Sequence, residues 1–143
     1  MKDQLILVNE KDEMVGIGEK LKTHQLGILH PAFSILIFNS QGKLLLQRRA
    51  LSKYHSSGLW SNTCCGHPRP GEHLMFAAQR RLKIEMGLDC SLEWVGSFVY
   101  RADVGDNLIE HELDHVFIGH SDLKPTLNAD EAIGWKCTEL ATL

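Results

Sequence analysis

The chain has 143 residues, 43% of them hydrophobic and 23% charged, which suits one domain with a real core. A net charge of -3 leaves no electrostatic footprint for nucleic acid, and apolar runs such as Phe33 to Phe38 are far too short to span a bilayer. The four cysteines, at 64, 65, 90 and 137, show neither paired zinc-finger spacing nor a secreted disulfide framework. With no signal-peptide pattern at the N-terminus, the expectation is a reduced, cytoplasmic protein.

Taken in order, Gln4 to Val8 and Met14 to Ile17 read as two strands of a hairpin joined by the polar turn Asn9 to Glu13. His24 and His30 bracket an expected loop that leads into a buried strand, Ala32 to Asn39. The turn Asn39-Ser40-Gln41-Gly42 then returns the chain through Lys43 to Gln47. Arg48 to Asn62 is expected to be a long polar loop carrying three cations and ending near Trp60.

Asn62 to Leu88 packs two cysteines, a histidine, a Gly/Pro-punctuated loop and a helix into one run. On a wheel of 3.6 residues per turn, His73 to Met86 puts Leu74, Ala77, Ala78 and Leu82 on one face, with Gly87 as the stop signal. Arg81 and Glu85 fall on that same apolar face. An unpaired buried charge is strongly unfavourable, so Arg81 is read as a phosphate ligand and Glu85 as a ligand for a hard cation, against the alternative of a plain i,i+4 ion pair. Arg49 and Lys53, just upstream, would complete an anion clamp.

Beyond the helix, Leu92 to Tyr100 and Leu108 to Ile118 read as antiparallel strands around a turn at Asp103 to Asn107. Alternation places Glu110, Glu112 and Asp114 on one face, with successive carboxylates about 7 Å apart along the strand. Ile133 to Lys136 is a last short strand, and Glu139 to Leu143 the start of a helix. His24, His30 and His67 with Glu110 and Glu112 offer imidazole and carboxylate donors suited to zinc, manganese or iron(II), although spacing alone does not bring them together. His55, His73, His111, His115 and His120 are read as surface or packing residues.

Gly66, Glu72, Arg80, Glu85 and Gly87 stand at the spacing of a Nudix box. In the hydrolases of that superfamily the arginine is followed by a glutamate, and two glutamates precede the final glycine by two and three positions. Arg81 and Ile84 occupy two of those carboxylate places here, so the fold signal is kept and the multi-metal hydrolytic chemistry is not. At Asn62-Thr-Cys-Cys-Gly-His-Pro68, at the RRALSK and LHPAFS segments and at the Tyr100 and Glu110-His-Glu112 hairpin, the chain resembles the type 1 isopentenyl-diphosphate isomerases.

That resemblance implies an α+β fold, a Nudix-type α/β/α sandwich with a mixed sheet in a single domain spanning 1–143, and interconversion of isopentenyl and dimethylallyl diphosphate. It implies Cys65 and Glu112 as the acid and base on the two faces of the alkene, with Tyr100 hydrogen-bonding in the site. One Zn2+ or Mn2+ would be held by His24, His30, His67, Glu110 and Glu112. Mg2+ would lie between Glu85, the Cys65 carbonyl and the diphosphate, with Lys20, Arg49, Lys53 and Arg81 around it. The partner is a small isoprenyl diphosphate, with no nucleic acid and with room for an oligomer. Strand alternation adds that Cys64 faces away from Cys65 and packs as a small apolar residue.

The chain departs from the family at Pro31, often a basic residue there, and in a slightly short interval from His24 to His30. The family's C-terminal helical region is expected to be absent or truncated. The other functional readings are a Nudix pyrophosphohydrolase and a non-enzymatic metal- or diphosphate-binding relative without that lid.

Overall fold

The computed structural model describes residues 4–52 and 58–140. The N-terminal hairpin forms as its apolar runs predict, from β1 (Gln4–Val8) and β2 (Met14–Glu19). Its turn is organised by Asn9, whose Oδ1 accepts from the backbone N–H of Lys11 and Glu13.

The expected loop around His24 is instead a short helix, α1 (Lys20–Leu26). Gly27 ends it at φ 68°, donating its N–H to Thr23 O, a left-handed cap that glycine adopts without a Cβ penalty. Seven residues make too short a periodic run to stand out from a loop, and the helix is held by its packing against the sheet rather than by propensity. It leads into β3 (His30–Phe38), which starts two residues earlier than expected. Pro31 is tolerated because β3 has only its parallel neighbour there, and its other hydrogen-bonding edge is covered from Phe33 onward.

β4 (Leu44–Arg49) takes in Arg48 and Arg49, and β5 (Trp60–Ser61) pairs with it. The segment between Arg48 and Asn62 is therefore partly sheet, not one long loop. β6 (Cys64–Gly66) pairs antiparallel with β3, and α2 (Leu74–Met86) follows, closed by Gly87 at φ 64°. β7 (Leu92–Gly105) and β8 (Leu108–His120) form a long hairpin turned by Asp106 and Asn107, both at positive φ. Two consecutive left-handed residues make the tight turn that suits strand twist, which shortens the expected Asp103 to Asn107 turn. β9 (Ala132–Thr138) pairs with β4.

The seven-stranded sheet runs β5-β4-β3-β8-β7, with β6 attached to β3 and β9 to β4. It is mixed, since β3 and β8 are parallel and the other pairs antiparallel. Side-chain alternation divides it into two sides. Odd-numbered Phe33, Ile35, Ile37 and Phe117 pack with Ala77, Ala78, Leu82 and Met86 of α2 into the main core. Even-numbered Ser34, Glu112, Asp114 and Tyr100 line a cleft. No helix among the described residues is long and apolar enough to cross a membrane.

Candidate active site

The cleft, with a volume of about 1330 Å³, collects nearly every side chain that the sequence singled out. Lys20, Arg49, Cys65, His67, Arg81, Glu85, Tyr100, Glu110 and Glu112 all line it. Lys53 lies outside the described residues, as does His55.

Three imidazoles gather at one end. The ring centroids of His24, His30 and His67 lie 4.9–5.6 Å apart, and each offers a donor atom in a group with Glu112 whose members are all within 4.8 Å of one another. His24 Nδ1–H donates to Lys20 O at 2.8 Å, one helical turn back, and His30 Nδ1–H donates to Ile28 O at 2.8 Å. In the tautomer those bonds favour, Nε2 carries the lone pair, the form in which an imidazole ligates a metal. His30 Nε2 stands 3.5 Å from Glu112 Oε2. A bare ring nitrogen against a carboxylate is favourable only with a cation between them, so this donor set fits a divalent metal. Burial, ahead of any charge, lowers the pKa of His24 and takes that of His67 to about 4, keeping both in the neutral, ligating form.

Glu112 is the hub. Its Oε2 accepts from His67 Nε2 at 2.9 Å and its Oε1 from the Tyr100 hydroxyl at 2.7 Å. Burial pushes its pKa upward, but the imidazoles beside it and the Tyr100 hydroxyl outweigh that and hold it below the carboxylate range. Glu110 stands outside the group of four: its Oε2 lies 2.6 Å from the Tyr100 oxygen instead. One phenol hydrogen cannot serve two carboxylates. Burial, reinforced by the charge of Glu112 and opposed by the bond from Tyr100, raises the Glu110 pKa.

At the thiol end, alternation along β6 acts as expected. Cys64 is fully buried in the core and Cys65 faces the cleft. The Cys65 thiol lies 2.7 Å from Asn62 Oδ1 and 3.9 Å from Ser34 Oγ, while Ser34 donates to Asp114 Oδ2 at 2.7 Å. Burial first, then the Asp114 carboxylate, pushes the Cys65 pKa up to about 12. Burial likewise raises Asp114 to about 6.

A third group lies along α2. Arg81 and Glu85 do form an i,i+4 ion pair, but within a buried network and not on a solvated face. Arg81 Nη2 also reaches Glu131 Oε2 at 2.9 Å, and Gln47 Nε2 donates to Glu85 Oε1 at 2.9 Å. Although burial opposes it, the charges of Glu85 and Glu131 raise the Arg81 pKa. Glu131 and Gln47 escaped the sequence reading because neither belongs to a recognisable spacing; Asn62 and Ser34 could have been found from the Asn-x-x-Cys run and the LHPAFS segment. The box pair Glu72–Arg80 is structural: both guanidinium bonds, at 2.6 and 3.0 Å, tie the loop before α2 to its second turn.

Known proteins agree with this architecture. The NUDIX domain family matches residues 28–143. Isopentenyl-diphosphate Delta-isomerase 2 of Aromatoleum aromaticum is 57% identical over all 143 residues, which cover 76% of its own length. The isopentenyl-diphosphate Delta-isomerase of Serratia proteamaculans is 54% identical over the same residues, 80% of its length.

The chain belongs to the isopentenyl-diphosphate Delta-isomerase family of the Nudix superfamily.

Two solved structures share the fold. A protein of Deinococcus radiodurans has a TM-score of 0.78 at 23% identity, covering 95% of this chain and 83% of that one. The MutT protein of Methanosarcina mazei has a TM-score of 0.69 at 22% identity, covering 80% and 79%.

Proposed function

We propose that Cys65 and Glu112 exchange protons on the two faces of an alkene while the enzyme interconverts isopentenyl and dimethylallyl diphosphate. The observation that carries this reading is one cleft lined by both the Cys65 thiol and the Tyr100-bonded Glu112 carboxylate. Moving a double bond by one carbon requires a proton added at the terminal methylene, giving a tertiary cation, and a proton removed from the methylene on the other side. Two proton-transferring groups are the minimum equipment. Tyr100 aims the Glu112 carboxylate, and its phenol is kept protonated by burial.

Zn2+ or Mn2+ would be held by His24, His30, His67 and Glu112, with Glu110 joined to them through Tyr100. When bound, the ion supplies positive charge beside Glu112. Mg2+ would be held by Glu85 and the Cys65 carbonyl together with the diphosphate. Lys20, Arg49 and Arg81 line the cleft as cations for the phosphate oxygens, and Lys53 would join them. The Nε of Arg49 is buried with no hydrogen-bond partner among the described residues, which suits a side chain that awaits an anion. Trp60 also lines the cleft as an aromatic neighbour for the cation, its ring already under Lys136 Nζ at 4.4 Å. The four unbridged cysteines support a reducing, cytoplasmic setting.

NMR of isopentenyl diphosphate with the protein, Mg2+ and Zn2+ in heavy water tests the reading. Dimethylallyl diphosphate carrying deuterium is the expected product. Release of phosphate without isomerisation would favour a hydrolase, and neither product would favour a binding protein.

A further inference from the structure

Asp114 is a buried carboxylate for which the proton transfers above have no use. Only 4% of it is exposed, and its Oδ1 meets no hydrogen-bond partner among the described residues. Buried polar atoms are seldom left unsatisfied, and those that are kept tend to mark sites. Its other oxygen, Oδ2, takes the hydroxyl hydrogen of Ser34 at 2.7 Å. The sheet sets up this contact: Ser34 pairs with Cys65 on β6 and with Val116 on β8, so Asp114, two residues back along β8, projects on the same face.

A serine hydroxyl has one hydrogen and two lone pairs. With that hydrogen committed to Asp114, Ser34 can present only lone pairs to Cys65 Sγ, 3.9 Å away. On the other side of the thiol stands Asn62 Oδ1, at 2.7 Å. We propose that Ser34 and Asp114 are positioning residues for the Cys65 thiol: Asp114 orients Ser34 as an acceptor, so that the S–H has an acceptor on each side and the sulfur is aimed before substrate arrives. Without Asp114, the Ser34 hydroxyl would be able to turn and donate to sulfur, reversing the polarity of the contact. Asn62 anchors the thiol from the chain's own turn, and the Ser34–Asp114 pair anchors it from across the sheet.

The inference rests on the catalytic reading of Cys65, and two readouts separate them. In Ser34→Ala and in Asp114→Ala, kcat should fall roughly 10- to 100-fold, the scale of a misplaced reacting group, with KM changed less than about twofold. Asp114→Asn keeps an oxygen that can accept from Ser34 and should recover most of that loss. Independently of turnover, the infrared S–H stretch of Cys65, isolated by subtracting the Cys65→Ala spectrum, should shift in Ser34→Ala. A band that does not move, a kcat that does not fall, or an Asp114→Asn variant as impaired as Asp114→Ala each overturns the proposal. Full turnover in Cys65→Ala would instead defeat the thiol's catalytic role itself, and with it any catalytic meaning of its positioning.

Discussion

At the histidine end of the cleft two of the three rings are fixed by a carbonyl close by in the chain, His24 by Lys20 four residues back and His30 by Ile28 two residues back. At the thiol end the decisive contact, Ser34 to Asp114, joins residues 80 positions apart. Local fixing sets the orientation of His24 and His30 as soon as α1 and the start of β3 exist, while His67 waits for its partner Glu112 on β8. Long-range fixing makes the thiol end a product of sheet register, where a change in one strand re-aims a side chain on another. The first arrangement suits a site that must hold an ion, the second a site that must hold one orientation of a small, weakly bonding group.

Breaking the histidine end should have the largest effect. Glu112→Gln removes the carboxylate of the proposed metal group and the partner of Tyr100 and His67, so turnover should drop by about 10³-fold or more, at the upper end of proton-transfer losses. Elemental analysis should show loss of the roughly one ion per chain that a single His/Glu group implies. Metal retained at full occupancy would separate Glu112 from the histidines.

The thiol end is sharpened by its two neighbouring cysteines. Cys65→Ala should lower turnover about 10²- to 10⁴-fold in the heavy-water NMR assay, while Cys64→Ala retains it and loses about 1–2 kcal/mol of stability through a small core void. Equal loss in both variants, with circular dichroism unchanged, would mean the wrong face of β6 had been assigned.

A change outside both ends provides the control. Glu72 has its pKa lowered, chiefly by the hydrogen bonds from Arg80, so its ion pair stabilises the fold above the ordinary value of 4.5 and that contribution is lost as pH falls through the depressed pKa. Glu72→Gln should therefore be less stable by about 2 kcal/mol at pH 7, with the gap closing in acid. Denaturant titrations at pH 7 and in acid measure it; a gap independent of pH would remove the ion pair from the account. The smallest effect is expected for Tyr100→Phe. Loss of one oriented donor to Glu112 should reduce kcat by about tenfold, and steady-state assays giving an unchanged kcat would leave Glu112 aimed by His67 alone.

The same contrast explains what could be read from the chain. The N-terminal hairpin, α2 with its glycine stop, and the β7–β8 hairpin declare themselves by periodicity, and alternation correctly puts Cys64 and Cys65 on opposite faces, the family likeness having named Cys65 as the one in the cleft. α1 does not declare itself, because its seven residues carry too little pattern and its support comes from packing. The polar stretch after Arg48 reads as loop because β5 is two residues long and exists only through its pairing with β4. In the cleft, the histidines and Glu112 were legible as residue types, and the family likeness supplied their convergence. Gln47 and Glu131 were not, and Asp114 was legible only as a carboxylate on the face of Glu112, since each acquires its partner from a distant element.

The parallel pairing of β3 with β8 also sets when, in the life of the chain, a site can exist. A strand pair that needs most of the intervening sequence between its members has a high loop-closure entropy and forms late compared with hairpins. While the polypeptide is being synthesised, His24, His30, Cys65 and His67 are all made long before Glu112 and Asp114. The Cys65 thiol and the three imidazoles therefore spend that interval without the carboxylates that face them in the finished cleft. The cleft as a whole depends on the pairing that closes the sheet, because that pairing sets Glu112 and Asp114 beside residues made tens of positions earlier.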